Sequence, residues 1–195
     1  MVSDINPGES WQKPLSARPH CPFVIPALWE IGHRLFRSDQ HVFPVSFVEA
    51  DIFDEAALSS TAAPSPLPPA LKKLRTLTPL KGHASVILLQ MVFHLWDERR
   101  QLRLARRLAQ LLSPEPGSLI FGRQMGDAQP REILLQGQPH YVHNPETWVS
   151  MWSKVFPEGT VEYHTELRDL PADLIAATMD MVGVRQFLTW SIKRL

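Results

Sequence analysis

Apolar positions along the chain fall into helical and extended rhythms. Leu28, Ile31 and Leu35 in ALWEIGHRLFRS recur at helical spacing and predict an amphipathic helix. Leu104, Leu108, Leu111 and Leu112 make one stripe through DERRQLRLARRLAQLLS, where Asp97 is placed to cap the first turn and SPEPG stops the helix. NPETWVSMWSKVF predicts another helix, with Asn144 as cap and Pro145 at its first position. The most hydrophobic stretch, ASVILLQMVFHLW from Ala84 to Trp96, predicts a central strand that runs into a short turn. CPFVIP predicts a brief buried strand closed by proline. VFPVSFVEADIF predicts a second, its first half demoted by Pro44 to an edge or bulge. SLIFGRQMG is a third clear strand, and TVEYHTEL and RQFLTWSIKRL alternate well enough to close the sheet. Between them, SSTAAPSPLPPALKKLRTLTPLKGH predicts a long surface loop with one helical turn around Leu71 to Leu74. Strands alternating with helices predict an α/β layered fold with a mostly parallel sheet. Residues 1–20, polar and proline-bearing, form an irregular N-terminal arm, and residues 21–195 a single α/β domain.

Composition narrows the classes of function. Twenty basic residues balance twenty acidic ones in 195, so no global charge favours nucleic acid or an anionic membrane. A hydrophobic content of 44% and a mean hydropathy of −0.13 suit a soluble globular chain. No apolar run has the length of a membrane span, and the first twenty residues lack the pattern of a signal peptide. The single cysteine, Cys21, has no internal disulfide partner and reads as a packed residue; with these features the expected location is cytoplasmic.

Several residues invite chemistry. Asp51 ends an apolar run, and in open α/β sheets ligands sit beyond the carboxyl ends of strands. An acid there can accept a hydrogen bond from an adenine amino group while Ile52 packs on the ring; a turn or cap role is the plainer alternative. His140 and His143 suggest a metal, but no carboxylate or cysteine at matching spacing supports one. Arg99, Arg100, Arg103, Arg106 and Arg107 form the strong local charge cluster, which on an amphipathic helix reads as the solvated face. Trp148, Trp152 and Phe156 at i, i+4 and i+8 read as core, or as an aromatic substrate lid.

Three segments in order, LWEIGHRLFRSDQHVFPVSFVEADIFDE, FHLWDERRQLRLARRLAQLLSPEPGSLIFGRQMG and HNPETWVSMWSKVF, resemble fungal class I S-adenosylmethionine-dependent methyltransferases of secondary-metabolite pathways, meroterpenoid pathways among them. The resemblance covers roughly residues 22 to 165. It implies a Rossmann-like class I methyltransferase fold, S-adenosylmethionine as cofactor, and a small natural-product acceptor methylated on a carboxylate or hydroxyl. It places Asp51 and Ile52 where the family contacts adenine, and His94 at a histidine of the family pattern, a candidate base or positioning residue whose plainer role is a hydrogen-bonded turn histidine.

The chain also departs from that pattern. It has nothing like GxGxG, so the loop that would cradle the methionine and ribose part is lacking, and the fold is expected to be N-terminally incomplete. Phe23 stands near the place of the ribose-binding acid; Ser85 replaces another acid, and Leu88 and Gln90 stand where the family favours His and Gly. An incomplete sheet is expected to be filled by the arm before His20, or by a partner chain or a second copy, unless the sequence is an incomplete gene product. Two alternatives to the methyltransferase reading remain: a non-methylating pseudoenzyme or scaffold subunit, and a cofactor-free cyclase or isomerase that reuses the acceptor pocket.

Overall fold

The computed structural model describes residues 26–171, apart from positions 40, 44 and 136, and residues 183–195. The arm over 1–20, Cys21 and nearly all of CPFVIP lie outside the described residues. The first helix, α1, spans Pro26–Leu35. A long irregular stretch follows, broken by 3-10 turns at Leu71–Lys73 and Thr78–Leu80, the first falling where one helical turn is expected. Strand β1 is Val86–Gln90, helix α2 is Glu98–Leu111 and strand β2 is Leu119–Gly126. A hairpin of β3 (Arg131–Leu135) and β4 (Gln138–Val142) leads into helix α3 (Pro145–Trp152), and strands β5 (Val161–Asp169) and β6 (Gln186–Arg194) complete the described chain.

The main sheet has the order β1-β2-β6-β5. Strands β1 and β2 run parallel with Val86 opposite Leu119, whereas β6 is antiparallel to both β2 and β5, with Gly122 opposite Trp190 and Thr165 opposite Trp190 on its other side. The α/β class read from the sequence holds. Among the described strands the parallel pairing is confined to β1–β2, so this part of the sheet is mixed. The β3–β4 hairpin stands apart as a two-stranded sheet. It escaped the sequence reading because Pro139 and Gly137 look like strand breakers. Gly137 instead sits in the connection with a φ of 75°, a conformation that glycine adopts without steric cost.

Two expectations are corrected. The run around SFVEAD forms no strand: residues 45–51 pair with no neighbour among the described residues, so Asp51 ends an irregular segment rather than a strand. Strand β1, expected at the centre, is an edge of the described sheet. The physical reason is shared. A strand needs a hydrogen-bonding neighbour, and no described segment lies on the far side of β1. Its two faces differ, with Val86 and Leu88 exposed on one and Leu89 buried on the core side.

One face of the sheet carries the core. Leu89, Ile120, Leu188, Trp190 and Ile192 meet Leu104, Ala105 and Leu108 of α2 and Trp148, Met151 and Trp152 of α3 in one cluster. Phe93 is its aromatic hub, edge-on to Trp148 at 4.9 Å and to Trp190 at 5.6 Å between ring centroids. Edge-to-face pairs of this kind add about 0.5–1.5 kcal/mol beyond area burial. Trp148, Trp152 and Phe156 are therefore core residues. Both capping expectations hold as well: Asp97 accepts the Arg100 amide at 2.7 Å, and Asn144 forms a reciprocal capping box with Thr147. No helix among the described residues is long and apolar enough to cross a membrane.

Candidate functional site

The segment Asp51–Leu58 is built from local hydrogen bonds. Asp51 Oδ1 accepts the Phe53 amide at 2.8 Å and the Asp51 carbonyl accepts the Asp54 amide at 3.0 Å, a turn in which the acid holds its own backbone. Asp54 Oδ1 accepts the Ala56 amide at 2.9 Å. Phe53 and Leu58 are buried, anchoring the segment against the core. Asp51 thus plays the turn role expected as its plainer alternative. No partner for its second carboxylate oxygen is found among the described residues.

Helix α2 supplies the opposing wall. Arg103 Nη2 donates to the Phe53 carbonyl at 2.8 Å and Arg107 Nε to the Ile52 carbonyl at 3.0 Å. Arg107 is only 4% exposed, and its Nη2 lies 2.9 Å from Glu55 Oε1 without the alignment of a hydrogen bond. The Ser60 amide and then Arg107 hold the Glu55 carboxyl below its ordinary range. The guanidiniums of Arg100 and Arg103 lie 4.7 Å and 5.2 Å from the centroid of Phe53, whose ring meets Trp96 edge-on at 5.3 Å. The expectation that these arginines form a solvated face is corrected for Arg100, Arg103 and Arg107, over which the segment packs, whereas Arg99 and Arg106 are exposed.

Between the segment and the helix opens a cleft of about 1170 Å³, lined among others by Glu49, Asp51, Phe53, Arg75, Arg99 and Arg106. Among the described residues no carboxylate forms an ion pair with Arg75, Arg99 or Arg106. The structure brings Asp51 into this cleft. Ile52 packs instead against the core, and His94 does not line the cleft.

His94 lies in the 3-10 turn Phe93–Leu95, which leaves β1 through Met91 at a φ of 55°. Burial first, and the neighbouring His140 second, lower its pKa to about 4, and its Nδ1 is buried with no partner among the described residues. The His94 carbonyl accepts a hydrogen bond from His140 Nδ1 at 3.0 Å. His143 is fully buried, its Nδ1 3.0 Å from Thr147 Oγ1, and burial with a contribution from Lys154 lowers its pKa to about 4 as well. Both are uncharged at neutral pH. Among the described residues no group of three or more His, Cys, Asp or Glu could hold a metal ion.

Sequence reading missed Gln101, Arg103 and Arg107 as site-building residues. For Gln101 and Arg107 there was a signal, since both lie on the apolar stripe of α2, at i−3 and i+3 from Leu104, where a polar side chain needs a partner.

No protein-family model matches the chain. Among known proteins, an O-methyltransferase, phiE, from a fungal species is 29% identical over 168 residues, covering 83% of this chain and 50% of that protein. The methyltransferases adrK of Penicillium roqueforti and ausD of Penicillium brasilianum are 26% and 25% identical over 68% and 74% of this chain, and 42% and 47% of their own lengths. The chain therefore spans about half the length of the relatives it matches. Among solved structures, a 1,6-didemethyltoxoflavin-N1-methyltransferase from Burkholderia thailandensis, bound to S-adenosylhomocysteine, has a TM-score of 0.43 at 11% identity, over 62% of this chain and 51% of that one; at that score the likeness carries no conclusion. By sequence the chain is a relative of the fungal methyltransferases named above, the kind of protein that its three ordered segments resemble.

Proposed function

We propose that this chain contributes the adenine-contacting half of a methyltransferase site that acts on a small natural product of secondary metabolism. The observation that carries the reading is Asp51, which lines a cleft at the position where the resemblance puts adenine while one carboxylate oxygen stays uncommitted. The fit extends to the nucleobase end of the cofactor, with Asp51 as the holder that lines the cleft, while the Ile52 side chain packs against the core and leaves only its backbone to contribute. When bound, S-adenosylmethionine supplies a methyl group on a sulfonium.

The chain's own residues favour an acceptor that is already ionised. His94, with its pKa lowered to about 4 and its side chain outside the cleft, has little basicity for drawing a proton from a hydroxyl. Arg75, Arg99 and Arg106, which pair with no carboxylate among the described residues, offer an anion local contacts in a cleft that also carries Glu49, Asp51, Asp54 and Asp97. A carboxylate acceptor meets both conditions, and the enzyme's main work is then to orient it and exclude water.

The test is isothermal titration of the folded 195-residue protein with S-adenosylhomocysteine, alone and as Asp51→Ala. Micromolar binding that Asp51→Ala weakens supports the reading. A folded protein that does not bind, or an Asp51→Ala variant with an unchanged Kd, refutes it for this chain. A second reading, a subunit whose sheet is completed by another polypeptide, is favoured by the position of β1 at the edge of the described sheet and by its exposed Val86 and Leu88. Light scattering distinguishes it: a complex that Leu88→Lys dissolves supports this reading, and a monomer in both forms counts against self-association.

A further inference from the structure

The segment 51–53 belongs to no helix and no strand, so side chains must set its shape. Its three carbonyls and the Phe53 amide are assigned. The Asp51 carbonyl takes the Asp54 amide, the Phe53 amide goes to Asp51 Oδ1, and the Ile52 and Phe53 carbonyls receive Arg107 and Arg103. What remains without a partner among the described residues is the second Asp51 carboxylate oxygen and the backbone amides of Asp51 and Ile52, and of these the Asp51 oxygen and the Ile52 amide make one pair. These are an acceptor and a donor on adjacent residues, the complement of a ring edge that offers an amino group beside a ring nitrogen.

The two arginines that leave this pair uncovered lie four residues apart on α2. Arg107 is nearly buried although its carboxylate partner Glu55 is largely exposed, so the ion pair alone is a weak reason for placing a guanidinium there. Its directional contact is the Ile52 carbonyl. Arg103 contributes twice, through the Phe53 carbonyl and over the Phe53 ring.

We infer that Arg103 and Arg107 are positioning residues that fix how Asp51 and Ile52 are presented to the cofactor's nucleobase. This rests on the methyltransferase reading above. Arg103, being exposed, is the practical test, because its replacement leaves the core intact. S-adenosylhomocysteine and S-inosylhomocysteine, which carries a carbonyl in place of the adenine amino group, are titrated into wild type, Arg103→Met and Arg103→Lys, and amide hydrogen exchange is followed across 51–58. In Arg103→Met we expect the affinity for S-adenosylhomocysteine to fall about tenfold, its preference over the inosyl analogue to shrink toward unity, and exchange at 52–54 to quicken. Arg103→Lys should recover part of the preference. Loss of both affinities in equal proportion, or no change in either, overturns the assignment and leaves a merely structural arginine. Failure of wild type to bind either ligand overturns the cofactor reading and this assignment with it. Exchange tells the two failures apart, since an unchanged rate at 52–54 in Arg103→Met means that the staple itself is absent.

Discussion

Gln101 offers the sharpest test of how the parts around His94 are held. It is fully buried on α2, and its Nε2 donates to the Trp96 carbonyl at 2.9 Å and the Tyr141 carbonyl at 2.8 Å, tying the helix to the end of the His94 turn and to β4. Its Oε1 is buried with no partner among the described residues. Replacement by leucine, close in volume, removes two hydrogen bonds worth about 1 kcal/mol each but also the cost of an unmade one. The Trp96 carbonyl keeps the Tyr141 amide at 2.9 Å, so only the Tyr141 carbonyl loses a partner. The net expectation for Gln101→Leu is a loss of about 1–2 kcal/mol.

Gln101→Glu adds a sign that packing cannot mimic. A buried carboxylate facing two carbonyl oxygens would have its pKa raised above the unfolded value of about 4.3. Below that value both folded and unfolded states are protonated, and the glutamic acid can still donate one bond. As pH rises the unfolded chain ionises first, and stability falls until the folded pKa is passed. Urea denaturation of wild type and both variants at about pH 4 and about pH 8 should show the Gln101→Glu deficit widening by several kcal/mol at the higher pH. A deficit equal at both pH values, or a Gln101→Leu variant as stable as wild type, would refute the network.

Further outcomes follow from the same geometry. His94 and His143 have folded pKa values of about 4 against 6.5 unfolded, so the unfolded state takes up protons that the folded state refuses. Stability is then full above about pH 6.5 and falls toward pH 4 by up to ~1.4 kcal/mol per pH unit for each histidine; His94→Gln should lessen the slope by about one proton, and a flat wild-type profile between those limits would contradict both shifts. A Cβ at Gly122 would stand 1.8 Å from the Leu89 carbonyl oxygen, whereas one at Gly32 meets nothing within 4 Å. Gly122→Ala should therefore lose about 3 kcal/mol or fail to fold, while Gly32→Ala, within α1, should be neutral or gain up to about 1 kcal/mol, both measurable by thermal melts. Asn144→Ala opens the capping box of α3 and should cost about 1 kcal/mol by urea titration.

What could be read from sequence, and what could not, divides by the range of the forces involved. Asp97 and Asn144 were legible as caps because a cap is satisfied within its own first turn. The edge position of β1 was not, since strand order depends on which distant segment supplies the neighbour, and VILLQ looks the same at a centre or at an edge. The same reasoning explains Asp51. Its local pattern is that of a strand end, yet with no neighbour to pair with among the described residues, the segment is shaped by α2 instead.

That places the informative residues on the helix. Gln101 and Arg107 interrupt a stripe that Leu104, Leu108 and Leu111 would otherwise fill, and a buried polar group survives there only if something pairs with it. Gln101 meets Trp96 and Tyr141 beside the His94 turn, and Arg107 meets Ile52 and Glu55 beside Asp51. One helix thereby holds both regions that the sequence nominated for chemistry, each through the polar residue that breaks its apolar pattern. In a helix facing irregular segments, a polar residue on the apolar stripe is thus a pointer to the segment it fixes, and here the two pointers lead to the two candidate site regions.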